Sequence, residues 1–470
     1  MTYYDLLAEG FRQGHLYIPA APSSELLAQA NPYDPKHSRL WFWDMTLYGT
    51  HYYLYWGPVP ALLQAAVKSA LSIHGMVGDQ YLVFTAFSLS AVFGGLLIER
   101  MARRLFDTVP RWLRAVMVLA FALANPAPHL LASGGVYQGS IGFGQAFALG
   151  GLVLAFDVVC AAPLRGFDWR LPAAGTLWAL AFGSRLSMLP STTLLAFLTA
   201  STCAWATPMS LRSFVKYASW LAAPMVVGLG LLLVYNKLRF DNWLDMGVNN
   251  QLSGFKFSFS KIYLLTNLYS YSLRPYVPDC HFPYAMAPWW LGTRAFPDEM
   301  EVPAGYLINE PVVGWLRVVP ITWLLVAVPA GVVQRFRLLR RRTASRNGSQ
   351  PALDTKPRAF LWCAACFCVL SSVNGAAVLG LYMSTMRYLA DVTNGLVLLG
   401  VLGSFVICSW PSRRVSRRAV ALACSVPALV TVVFGLLLGY QGYTGHFKTY
   451  NPKLNEKLVE ILSVCDDAEH

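Results

Sequence analysis

Apolar residues along this chain gather into long unbroken runs. They follow neither the i, i+3, i+4 stripe of a soluble helix nor the alternation of a half-buried strand. An α-helix needs about 20 apolar residues to cross the hydrocarbon core of a bilayer. Runs of that kind lie near 82–99, 113–128, 140–160, 171–184, 188–206, 214–235, 316–334, 359–382, 391–409 and 420–439, which predicts ten spans. A further run, Gly57 to Ile73, carries Gln64 and Lys68 in its middle and Pro58 and Pro60 at its start. It reads as a helix lying in the membrane interface. The pattern therefore predicts an all-α polytopic membrane protein of about 10 transmembrane helices with large outer loops and interfacial helices. Residues 1–81 form a first loop, 82–235 a set of spans, 236–315 a long loop, 316–440 a second set of spans, and 441–470 a tail.

Composition agrees. Of 470 residues 56% are hydrophobic and 13% charged, against roughly 25% charged in soluble domains. The net charge of +13 would suggest nucleic acid if it were gathered on one soluble face. Instead, the connections beginning near Glu99, Ala161, Thr207, Arg335 and Trp410 hold 21 of the 37 Lys and Arg residues. Short basic connections mark the cytoplasmic side, so the first loop, the long loop and the tail are expected to face outward, and no nucleic-acid partner is expected. The first twelve residues lack the apolar core of a signal peptide. The stretch Arg335 to Arg358, basic and containing Ser, Pro and Gly, reads as a flexible cytoplasmic loop anchored near anionic lipid. The CAACFC string at Cys363, Cys366 and Cys368 lies inside an apolar run and reads as packing, not as a metal site. Cys280 and Cys465 fall on the outward side, where they can pair.

The chemistry concentrates between Asn31 and Leu63, where Trp41, Phe42, Trp43, Tyr48, Tyr52, Tyr53, Tyr55 and Trp56 surround Asp34, Asp44, His37, His51, Lys36 and Arg39. Such rings belong at a membrane interface and also stack on the faces of sugars. Asp44, set among Trp41, Trp43, Tyr48 and His51, is the leading candidate acid, since partial desolvation would make it a better base. Asp34, in NPYDP, is either a second acid or a turn residue. Trp43, His51 and Tyr53 are candidates for contacting sugar or acceptor. Arg185 and Arg387 close apolar runs at the outward boundary and either hold a phosphate or snorkel to headgroups, with Asp391 competing for Arg387 at i+4. In the long loop, Asp245, Arg274, His281 and Glu310 are candidates for holding acceptor or phosphate, whereas His129 and Gln138 read as ordinary turn residues. HExxH, Walker and dinucleotide fingerprints are absent from the sequence, as is a DxD triplet, so neither cofactor nor metal is expected.

WDMTLYGTHYYLYWGPVPALL, beginning at Trp43, resembles the YYLYFGP-type region of bacterial integral-membrane glycosyltransferases of the GT-C superfamily. VYNKLRFDNWLDMGVNNQLSG (234–254), LRPYVPDCHFPY (273–284), STMRYLADVTNGLVLL (384–399) and GYQGYTGHFKTYNP (439–452) are similar to further segments of that family, in the same order. Asp245 stands at the family's acidic position and Asp241 at a glycine position. The resemblance implies a GT-C-like helical bundle and an enzyme of the bacterial cytoplasmic membrane with its active site facing outward. It would move a hexosyl or pentosyl sugar from a polyprenyl-phosphate donor to a glycan, lipid or protein acceptor among membrane lipids. In such relatives an acidic residue of the first outer loop acts at the reacting centre and cations hold the lipid phosphate. A polymerase or ligase of lipid-linked glycans, and a transporter or flippase of lipid-linked sugars, are the alternatives. A transporter should place its ionisable groups mid-membrane around broken helices, and here they sit at span ends and in loops. The opening segment, with Tyr4, Ala8 and Gly14 at family-like positions, resembles a part that follows a first span and a short acidic motif. An upstream apolar helix and an acidic residue are therefore expected in the natural reading frame.

Overall fold

The computed structural model describes residues 2–164, 166–206, 211–254, 257–288, 292–307, 310–344, 355–410, 416–442 and 445–465, with backbone alone at 293 and 341–344. The protein is an all-α polytopic membrane protein. Among the described residues eight helices are long and apolar enough to cross a bilayer: Asp79–Leu105, Val136–Ala161, Leu186–Ala204, Leu211–Phe240, Pro320–Arg340, Thr355–Leu379, Met386–Ser409 and Arg417–Gln441. A ninth arises if Arg111–Leu123 and Ala127–Ser133, bent by 42° at Asn125–Pro126, count as one span. The tenth expected span corresponds to Arg170–Ser184, a helix of 15 residues. At 1.5 Å per residue it is about 22 Å long, short of a full crossing. Arg185, in extended backbone at φ −147°, separates it from the next span.

The interior of the bundle is set by two helices. Val136–Ala161 is 83% buried over its apolar window and Met386–Ser409 72%, whereas Leu211–Phe240 is only 22% buried and lies at the periphery. Small residues let the helices approach. At Gly435 an added Cβ would fall 1.8 Å from the carbonyl oxygen of Leu123, so the two backbones are in contact there. Both central helices begin at the same end of the bundle, the end where the first loop, the long loop and the tail gather.

Gly57 to Ile73 contains the Val59–Ala70 helix, 12 residues long and too short to span. Its apolar side chains Leu62, Leu63 and Val67 are the exposed ones, while Gln64 and Lys68 are buried. The reason is the N-terminal helix Tyr3–Arg12, whose Asp5 accepts from Lys68 Nζ at 2.8 Å and from Gln64 Nε2 at 2.9 Å. Two polar residues that look like breaks in an apolar run are thus the inward anchors of a helix with its greasy face out.

The first loop then forms a hairpin, Thr46–Tyr48 paired with His51–Tyr53, across a two-residue turn with Gly49 at φ 58°. It is held on one edge by Ile18, paired with Tyr52, and on the other by Gln251, paired with Thr46. At the opposite, basic end, the expected loop over 335–358 instead continues as helix through Val328–Ala344 and resumes at Thr355. Residues 345–354 lie outside the described residues, as do 411–415 and the 443–444 portion of the last motif.

Candidate functional site

Asp44 sits at the entry to the hairpin with φ 63°, a left-handed conformation that Asp tolerates better than most side chains but that still costs of order 1–3 kcal/mol. Its peptide is fixed from both sides: Asp44 N donates to Leu252 O at 3.0 Å, Leu252 N donates to Met45 O at 2.7 Å, and the Tyr3 hydroxyl donates to Trp43 O at 2.9 Å. Three separate stretches therefore hold one strained residue in place. They are the N-terminal helix, the hairpin and the loop after Leu211–Phe240.

The carboxylate stands at the end of a chain of hydrogen bonds. Gln251 Nε2 donates to Asp44 Oδ1 and to the Tyr55 hydroxyl, each at 3.2 Å. Tyr55 donates to the Tyr137 hydroxyl at 3.2 Å, and the Tyr137 hydroxyl acts electrostatically on Asp44. Asp44 only accepts in this chain, which is self-consistent for an ionised carboxylate. Burial nevertheless wins: it pushes the Asp44 carboxyl above its ordinary 3.8, against the opposing effects of Tyr137, Arg387 and Gln251.

Tyr137 links this chain to a cation. The Arg387 guanidinium lies 4.1 Å from the Tyr137 ring centre, a cation–π distance. Arg387 Nη2 also pairs with Glu310 Oε1 at 3.0 Å, with side-chain exposures of 15% and 12%, so the pair is largely removed from water. Burial raises the Glu310 carboxyl, Arg387 lowers it, and the nearby Asp44 charge raises it again. Tyr137 and Arg387 open the two most buried of the candidate spans, so this tyrosine and this cation are presented by the best-packed part of the bundle.

Arg185 pairs with Asp391 at 2.5 Å. The expected competition of Asp391 for Arg387 is therefore corrected: the i+4 neighbour turns to Arg185 across the bundle, and Glu310 from the long loop takes its place on Arg387. Nearby, Gln145 accepts from Asn394 at 3.1 Å, a polar link between the two central helices.

Other candidates occupy different surroundings. Asp34 caps the turn Pro35–Leu40, accepting from Lys36 N at 3.0 Å, and acts there as a turn residue. Asp245 accepts from Gly247 N at 2.7 Å in a similar local turn. Arg274 is fully buried and donates to Pro288 O at 3.0 Å beside the Phe296 ring, so it braces the long loop from inside. His51 stacks near Tyr17, Tyr53 packs on Phe240, and Trp43 is exposed with its ring edge-on to Trp41. His281 contacts Asp279 at 3.0 Å. Asp279, Cys280 and His281 form the one cluster of possible metal ligands among the described residues, but Cys280 is bonded to Cys465. A disulfide sulfur is not the thiolate that a metal needs, which leaves two ligands.

Tyr55, Tyr137 and Gln251 were not singled out in the sequence as site residues. Tyr137 opens an apolar run, where a tyrosine ordinarily reads as an interfacial belt residue. Gln251 sits 207 positions from Asp44 and reaches it only through the pairing of the long loop with the hairpin.

No family model matches the chain, and no curated protein matches it. Among solved structures it is similar to the Archaeoglobus fulgidus oligosaccharyltransferase in the apo form, with a TM-score of 0.44 and 12% identity over 99% of this chain and 54% of that one. The same enzyme tethered to an acceptor peptide containing the NVT sequon gives 0.43 and 13% over 94% and 51%. Archaeal oligosaccharyltransferase AglB from the same organism, in complex with an inhibitory peptide and a dolichol-phosphate, gives 0.42 and 14% over 98% and 55%. The chain spans about half the length of these structures. Likeness of this degree decides neither activity nor substrate.

Proposed function

We propose that this protein is a GT-C-type glycosyltransferase that moves a sugar from a polyprenyl-phosphate donor to an acceptor hydroxyl at the outer face of the cytoplasmic membrane. The observation that carries the reading is the joining of Asp44 to Arg387 through Tyr137, with the carboxylate in a strained, braced turn and the cation at the head of a central helix. Asp44 takes the proton of the attacking hydroxyl, a role typically worth 10² to 10⁴-fold. The oxygen attacks C1 of the sugar, the C1–O bond to phosphate breaks, and polyprenyl phosphate leaves with the bonding pair. Arg387 receives the growing charge on that phosphate. Arg185, tied to Asp391, supports the second phosphate side, and Trp43, His51 and Tyr53 offer ring faces to sugar or acceptor.

The orientation draws support from two independent features. The short connections at the far end are basic. The Cys280–Cys465 disulfide lies at the loop-rich end, as suits an oxidising compartment. The test is genetic and chemical. Deleting the gene should remove one sugar from the surface glycans or lipids and leave its lipid-phosphate donor to accumulate. Wild-type protein should restore the sugar, and Arg387→Ala should not. An unchanged profile of lipid-linked sugars and surface glycans in the deletion strain would overturn the proposal.

A further inference from the structure

The pairing of Arg387 with Glu310 poses a problem for any phosphate that is to bind there. Asp44 and Glu310 are both close enough to Arg387 to shift with its charge, and the Asp44 charge in turn raises the Glu310 carboxyl. The second local cation, Arg185, is already balanced by Asp391. Bringing in a phosphate monoanion would place three negative groups around one guanidinium in a region largely closed to water. Like charges so confined do not all remain ionised. One of the three must yield.

The geometry of the guanidinium shows where room exists. Its Nε and Nη2 share one edge, and that edge can hold two oxygens in parallel, as it does on phosphates and carboxylates. Glu310 contacts Nη2 alone, while Arg387 Nε is buried and has no hydrogen-bond partner among the described residues. Glu310 thus fills half of a site made for two oxygens. It arrives on irregular chain between the long loop and the Trp315–Val318 turn, whereas Asp44 is pinned by backbone bonds on both sides and by Gln251 on its carboxylate. Of the two carboxylates, Glu310 is the one free to change partner. The groups facing it are Arg387, Asp44, Tyr271, Tyr382 and the Thr385 hydroxyl, so Arg387 is the only cation among the groups that act on it.

Resting on the donor reading above, we propose that Glu310 is a placeholder for the donor phosphate. In the resting enzyme its carboxylate occupies Arg387. When the lipid phosphate binds, it takes the Nε and Nη2 edge of Arg387, and Glu310 leaves that edge and takes up one proton from solvent. Asp44 then remains as the only ionised carboxylate beside the reacting carbon. The exchange has two consequences. It keeps Arg387 paired while the site is empty, and it makes donor binding draw one proton.

The experiment measures binding of a sugar-free polyprenyl phosphate to purified full-length protein in nanodiscs between pH 5.5 and 8.5, for wild type, Glu310→Gln, Glu310→Ala and Arg387→Ala. Inorganic phosphate and the corresponding polyprenyl alcohol serve as separate ligands, and a thermal melt of each variant checks folding. Glu310→Gln is expected to bind the lipid phosphate about tenfold more tightly than wild type at pH 8, within the usual range of coupling between two ligands of one site. Wild-type affinity should rise as the pH falls, and that dependence should flatten in Glu310→Gln. If inorganic phosphate shows the same pattern, the site recognises the phosphate group alone; if only the lipid phosphate does, chain and phosphate act together. Either pattern supports the exchange. Weaker or unchanged binding by folded Glu310→Gln and Glu310→Ala, with Arg387→Ala losing binding, would overturn the placeholder and leave the donor reading standing. Equal binding of lipid phosphate by wild type and Arg387→Ala would overturn both.

Discussion

Replacing Lys68 by Met should loosen the N-terminal helix far more than a surface substitution would. The side chains of Lys68 and Asp5 are each 3% exposed, and Nζ lies 2.8 Å from Asp5 Oδ1. Removing the ammonium leaves a buried carboxylate with Gln64 as its remaining side-chain donor. Stranding one member of a buried ion pair costs about 3–5 kcal/mol. The helix also buries Tyr3, Tyr4, Leu7 and Ala8, so it should stay docked most of the time but open more often. At 1.4 kcal/mol per factor of ten, its amides should exchange with deuterium about 10² to 10⁴ times faster than in wild type. The assay is hydrogen–deuterium exchange with mass spectrometry on nanodisc-embedded protein, following peptides within Tyr3–Arg12 against the Val136–Ala161 core helix as an internal standard. Adding Asp5→Asn to Lys68→Met removes the stranded charge and should restore most of the protection. The effect should reach the site as well, because the same helix carries the Tyr3 hydroxyl that braces Trp43 O next to Asp44. Exchange in Lys68→Met within about threefold of wild type, well below the span expected for a stranded buried charge, would refute the assignment of this pair as the anchor.

Burial raises the Asp44 carboxyl above its ordinary 3.8, so its contribution to stability is greatest below that value and is lost as the pH rises through the folded one. Asp44→Asn should therefore melt at or above the wild-type temperature at pH 7.5, while the wild-type transfer rate should fall on the acid side at a pH above 3.8, where the base becomes protonated. Gly57→Ala should lower the melting temperature, since a Cβ there would fall 2.0 Å from the Gly183 carbonyl oxygen; overpacking typically costs about 1–3 kcal/mol, and a melt equal to wild type would show that the two backbones can separate freely. Reducing the Cys280–Cys465 disulfide should release the tail from the Asp279–Tyr284 turn, which it also holds through Phe282 N on Ser463 and Val464 N on Cys280 O. Limited proteolysis should then cut the Pro452–Leu462 helix first, and an unchanged digest would mean that those hydrogen bonds suffice.

Much of the architecture is legible in the sequence because a bilayer leaves few options for backbone polar groups. Apolar runs of the right length became helices, and the departures have local causes. Arg170–Ser184 stops short because Arg185 leaves the helix to reach Asp391. The basic stretch after Arg335 stays helical because its Arg and Leu residues favour helix, and nothing before Ala344 breaks it. Asp44 and Arg387 stand out in the sequence because a carboxylate among rings and a cation at a span end are both costly to leave unpartnered. Their partners do not. Glu310 and Asp391 each had a cation nearer in sequence than the one they chose, and Gln251 and Tyr137 are commonplace until the hairpin pairs with the long loop. Pairings across 200 residues depend on tertiary register, which neither periodicity nor composition carries.

In the proposed reaction Asp44 does the chemistry of sugar transfer at a site where Arg387 holds the phosphate. The most direct measurement compares a deletion strain carrying wild-type protein with the same strain carrying Asp44→Asn, at matched amounts of protein in the membrane, and quantifies by mass spectrometry the surface sugar that the deletion removes. Wild type should restore it. Asp44→Asn, folded and inserted, should restore it at a rate at least about a hundredfold lower, the smaller loss expected for a missing general base. Restoration by Asp44→Asn at the wild-type rate would contradict the account.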